Sequence, residues 1–97
     1  MTLYRTGRAE TPNGFWTPDL EYARYIRAGD RPMIKADLLN TARTKKLTGS
    51  PSPGVIDRER AIGDADVLIF DAWDWNTQEY VVLNTAVLSN VEAYAGI

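Results

Sequence analysis

Cysteine and histidine are both missing from this chain of 97 residues. Without cysteine there is no disulfide, no thiolate nucleophile and no zinc site of the cysteine kind. Without histidine there is no Ser-His-Asp triad, and transition metals and proton transfer lose their commonest ligand and general base. No metal is expected. No apolar run approaches the ~20 residues that span a bilayer, and the N-terminus carries no signal-peptide pattern; the expected setting is cytoplasmic, with no membrane partner. Basic charge is not in excess either. Eleven Lys and Arg against 13 Asp and Glu leave a net charge of −2, which gives no electrostatic footprint for nucleic acid. Any chemistry must rest on carboxylates, Arg, Lys, hydroxyls and aromatic rings. What remains, 44% hydrophobic and 25% charged, fits one small domain over residues 1–97 with a single core.

The most informative stretch is Thr77-Gln78-Glu79-Tyr80-Val81-Val82-Leu83-Asn84. Its unbroken apolar run predicts a strand buried on both faces, with Glu79 as first residue at its mouth. A carboxylate there has its direction set by the strand while solvent or a ligand still reaches it, which suits a catalytic acid residue. A solvated strand-end Glu without a role is the plain alternative.

Elsewhere, alternation and punctuation predict the elements. Thr2 to Thr6 reads as a first strand stopping at Gly7, with Arg5 near its end. Phe15-Trp16-Thr17 reads as a brief aromatic strand after the turn Thr11-Pro12-Asn13-Gly14. Thr17 as N-cap and Pro18 as first residue open a helix to about Ala28, on which Tyr22 and Tyr25, three apart, border a common surface. Met33 to Leu38 alternates as a strand. Asn40 to Ser50 lacks a period and leaves room only for a helical turn at Leu39-Thr44. Ser50 to Gly54 reads as a loop, Val55 to Ile62 as a short solvated helix, and Ala65 to Phe70 as a buried strand. Asp71 to Gln78 is then a loop carrying Trp73 and Trp75, Thr85 to Leu88 a turn, and Ser89 to Tyr94 a last strand. The expected class is α+β: a small, split, mostly antiparallel sheet with few short helices.

Four of these segments, in order, resemble the ADP-ribosyltransferase superfamily that includes diphtheria-type toxins and poly(ADP-ribose) polymerases. Leu3-Tyr4-Arg5-Thr6-Gly7 is similar to the first core strand, and Arg rather than His there resembles the Arg-led branch. Gly14-Phe15-Trp16-Thr17-Pro18-Asp19 with Ala23-Arg24-Tyr25 is similar to the aromatic strand and helix of the polymerases, in which a tyrosine stacks on nicotinamide. Met33 to Leu38 resembles the strand that follows. Glu79-Tyr80-Val81-Val82-Leu83-Asn84 resembles the strand that begins with the catalytic glutamate.

The resemblance implies NAD as the substrate that donates ADP-ribose. Glu79 would hydrogen-bond the ribose 2′-hydroxyl and offset charge developing on an oxocarbenium-like ribose. Arg5, with Thr6 and Gly7, would hold the diphosphate and nearby ribose. Tyr25, with Tyr22 or Trp16 as rivals, would stack on nicotinamide, and Thr17 would support the site if capping is not its whole role. A purely structural aromatic cluster competes with the stacking role. Trp73, Trp75 and Gln78 would face a protein or other macromolecular acceptor. Two other readings use the same residues: an inert module that binds or inhibits a partner protein through the Trp73/Trp75 loop, and an NAD-hydrolysing toxin.

Overall fold

The strands that alternation predicts form two sheets, joined where the first two strands pass each other. In the computed structural model, residues 1–7, 14–26, 31–72 and 76–94 are described. Strand β1 (Thr2–Thr6) pairs antiparallel with β3 (Met33–Leu38), which pairs on its other side with β7 (Leu88–Ala93). The second sheet runs in the order β2 (Gly14–Trp16), β6 (Thr77–Val82), β5 (Val67–Ala72), β4 (Thr44–Lys46). Its one parallel pair is β4 with β5. Just beyond β2, Thr17 exchanges two backbone hydrogen bonds with Tyr4 of β1, at 2.8 and 3.0 Å. That bridge ties the two sheets together and sets the first strand against the end of β2. With helices α1 (Leu20–Ile26) and α2 (Pro53–Ile62), the class is α+β.

The apolar run in β6 is buried on both faces. Tyr80 and Val82 join Leu3, Trp16, Ile34 and Val67 in a core shared by the two sheets. Val81 packs with Leu68 and Phe70 on the opposite side, beneath Val55 and Ile56 of α2. The strand starts at Thr77, so Glu79 is its third residue rather than its first. Helix α2 also begins earlier than expected. Ser52 caps it, its hydroxyl accepting from the Val55 amide, and Pro53 occupies the first turn where a missing N–H costs nothing.

Strand β4 lies where no strand is expected, just after a turn at 39–42 in which the Ala42 amide donates to the Leu39 carbonyl at 3.1 Å. Thr44-Lys45-Lys46 has neither apolar alternation nor length, so its extended form comes from its neighbours. Lys45 Nζ stands 2.7 Å from Glu59 Oε1 of α2, and Lys46 Nζ stands 3.3 Å from Asp71 of β5. Glu59 is only 4% exposed, and the lysine beneath it supplies the counter-charge its burial requires.

Asp66 is a second buried acid with a structural job. Its carboxylate accepts from the Arg43 side chain at 3.2 Å, the Arg43 amide at 2.9 Å and Asn84 Nδ2 at 3.2 Å. Arg43, through its side chain and then its amide, and then Asn84 hold the Asp66 pKa down from 3.8 to about 2. A pKa lower in the folded than in the unfolded chain stabilises the fold above the unfolded value. That contribution is lost as pH falls from about 4 towards 2. Arg43 is largely exposed, which screens the pair, so we expect a loss of about 1–2 kcal/mol rather than the full linkage value. Urea unfolding of wild type and Asp66→Asn checks it: the stability gap between them should be present at pH 7 and should narrow steadily as pH falls from about 4 to about 2.

No helix among the described residues is long and apolar enough to cross a membrane.

Candidate active site

Arg5 and Glu79 come from different sheets, yet they line one hollow at the seam that the Tyr4–Thr17 bridge closes. Strand β1 brings Tyr4, Arg5 and Thr6, the end of β2 brings Phe15, Trp16 and Thr17, helix α1 brings Tyr22 and Ile26, and β6 brings Glu79. The enclosed volume of the hollow is about 20 Å³. That is room for about one water-sized group, far below the ~300 Å³ at which pockets for drug-sized ligands begin, so a dinucleotide would lie across its mouth rather than inside it.

The Arg5 side chain lies between two glycines. A Cβ on Gly7 would come within 2.8 Å of Nη1, and one on Gly14 within 2.9 Å of Nη2. Both glycines also have positive φ, +148° and +118°, which L side chains rarely adopt. They leave a slot that fits a guanidinium. Gly7 N–H donates to the Pro32 carbonyl at 2.9 Å, so its contribution is room for Arg5 rather than an amide for a ligand. Burial pushes the Arg5 pKa below its ordinary value. Where water screens less, an anion placed against this cation is held more strongly. Next to it, the Thr6 hydroxyl oxygen is buried and has no hydrogen-bond partner among the described residues. A buried, unpartnered hydroxyl on the wall of a hollow is one that a polar ligand atom would satisfy.

Tyr22 O–H donates to Glu79 Oε1 at 2.6 Å, the short distance of a hydrogen bond to a charged acceptor. The tyrosine that reaches the site is therefore Tyr22; Tyr25 is 69% exposed and does not line the hollow. Spacing within the helix explains the difference. Ala23 is the residue buried against the sheet, and Tyr25, two positions on, leaves the helix about 200° around the axis from it. Tyr22 and Ile26, four apart, share the flank that meets the hollow.

The helix start is also corrected. Asp19, not Thr17, is the cap: Asp19 Oδ1 accepts from the Tyr22 amide at 3.1 Å. Thr17 is held extended by its bridge to Tyr4, and its hydroxyl accepts from the Asp19 amide at 3.1 Å. Trp16 is 1% exposed and forms wall and core rather than a stacking face. Phe15 at 48% and Ile26 at 47% are the exposed apolar residues at the rim, and sequence reasoning assigned neither a role. Gln78 lines a separate depression with Pro18, Lys46, Asp71, Asn76 and Thr77. Trp73 and Trp75 lie outside the described residues, as does the expected end of the first helix.

No model of a known protein family and no curated protein matches the chain.

Proposed function

We propose that this chain is an ADP-ribosyltransferase with NAD as donor. The observation that carries the reading is the convergence of Arg5 and Glu79, from separate sheets, on one hollow with an unpartnered hydroxyl in its wall. The bond from ribose C1′ to the nicotinamide nitrogen breaks, and nicotinamide leaves neutral with the bonding pair. No acid is needed to expel it, which suits a chain without histidine. C1′ then bonds to an acceptor nucleophile, whose proton passes to solvent. Glu79 contributes a negative charge beside the oxocarbenium-like ribose, where it counts most in the transition state. Arg5 takes the diphosphate, and the apolar rim of Phe15 and Ile26 takes the nicotinamide end. The hollow itself encloses only about 20 Å³, so the donor lies across its mouth and rim.

The acceptor meets the chain through Trp73 and Trp75, which precede Glu79 in sequence, and through Gln78 and the depression it lines. Incubation of the protein with NAD tests the reading. Nicotinamide should be released and ADP-ribose should appear on an added protein acceptor. Release with free ADP-ribose alone would make water the acceptor and the protein a hydrolase. Saturable partner binding with no release at millimolar NAD would make it an inert binding module.

A further inference from the structure

The geometry points to Tyr22 as the residue that positions the Glu79 carboxylate for this reaction through its hydroxyl, rather than as a ring that stacks on nicotinamide. The inference rests on the transferase reading above and adds a role which that reading does not contain.

Three hydrogen bonds run in sequence from the sheet seam to the carboxylate. The Asp19 amide donates to Thr17 Oγ1 at 3.1 Å, the Tyr22 amide donates to Asp19 Oδ1 at 3.1 Å, and the Tyr22 hydroxyl donates to Glu79 Oε1 at 2.6 Å. Thr17 is itself locked to Tyr4 by the paired backbone bonds that join the sheets. The tyrosine is thus placed by the cap of its own helix, and the cap by the bridge that brings Arg5 alongside. Its hydroxyl occupies one carboxylate oxygen, which restrains rotation about the last side-chain bond of Glu79 and leaves Oε2 for a substrate hydroxyl. A carboxylate on a three-bond side chain samples many directions unless something holds it, and catalysis falls steeply with misplacement of a reacting group. Thr17, the nearer hydroxyl by sequence to the strand end, makes no described hydrogen bond to Glu79. The helix supplies the support instead.

A stacking role and a positioning role separate cleanly by substitution, because the ring and the hydroxyl can be removed one at a time. Tyr22→Phe keeps the ring. If the hydroxyl positions Glu79, kcat for nicotinamide release should fall about 10- to 100-fold, the range for losing a hydrogen bond to a charged group, with KM for NAD within about twofold. Tyr22→Leu should be no worse in kcat than Tyr22→Phe. In a Glu79→Gln background, Tyr22→Phe should have little further effect, because it acts through the carboxylate. Wild-type kcat in Tyr22→Phe, or a rise in KM confined to Tyr22→Leu, would overturn the proposal in favour of stacking.

If Tyr22→Phe does not fold, as judged by thermal unfolding, 3-fluorotyrosine at position 22 supplies the readout. It keeps ring and hydroxyl but loses its proton at lower pH, and a phenolate cannot donate to Glu79. The alkaline limb of kcat should then move to lower pH than in wild type, and an unmoved limb would overturn the proposal. A wild-type protein that releases no nicotinamide defeats the transferase reading itself, an outcome distinct from an active wild type with an equally active Tyr22→Phe.

Discussion

Glu79→Gln should lower nicotinamide release about 10²–10³-fold while NAD affinity stays near that of wild type. Gln keeps the size of the side chain and its capacity to accept from Tyr22, but it removes the charge. The ribose acquires its cationic character only on the way to the transition state, so a lost counter-charge is felt in turnover and hardly in the ground state. The loss corresponds to about 3–4 kcal/mol, the usual scale for one aimed electrostatic group. Stability should change little, because Glu79 is partly exposed and the packed run of its strand begins only at Tyr80. The measurement is nicotinamide release at matched NAD together with calorimetric NAD binding. Equal turnover in the two proteins would remove Glu79 from the chemistry and leave it the solvated strand-end residue of the plain alternative.

Gly14→Ala should weaken NAD binding in the same direction as Arg5→Ala and by no more than it, although Gly14 offers no side chain to a ligand. The new Cβ would lie 2.9 Å from Nη2, 3.2 Å from Nε and 3.3 Å from Cζ of Arg5, so the guanidinium must shift from its present position. Losing a charge-assisted contact with the diphosphate should raise the dissociation constant about 10- to 100-fold. A separate cost arises because Ala resists a φ of +118°, worth about 1–3 kcal/mol and several degrees of thermal midpoint. The double variant separates the two effects. In an Arg5→Ala background, Gly14→Ala should still lower the midpoint, since the strain remains, but should not weaken NAD binding further, since no guanidinium is left to displace. Additive losses of affinity would show that Gly14 does not act through Arg5.

Sequence alone determined those features whose cause is local or periodic. Alternation placed β1 and β3 residue for residue, because a strand with one buried face repeats every second position. The unbroken run Tyr80-Val81-Val82 marked the strand that packs on both sides. The lack of cysteine and histidine restricted the chemistry to carboxylates, Arg, Lys, hydroxyls and aromatic rings, and Arg5 and Glu79 were visible as charges on predicted strands.

Tertiary structure decided what depended on partners distant in sequence. Strand β4 exists because β5 offers an edge and because Glu59 and Asp71 meet its lysines, none of which a polar tripeptide announces. Thr17 and Asp19 are both good caps by type. The bridge to Tyr4 holds Thr17 extended and passes the cap to Asp19. Tyr22 and Tyr25 are the same residue on the same short helix, and only the burial of Ala23 against the sheet turns the first towards Glu79 and the second to solvent. Gly7 and Gly14 read as turn residues in sequence, whereas folding closes them around one guanidinium from either side. Periodicity says which face of an element is buried; which neighbour lies against that face is set by how the two sheets meet.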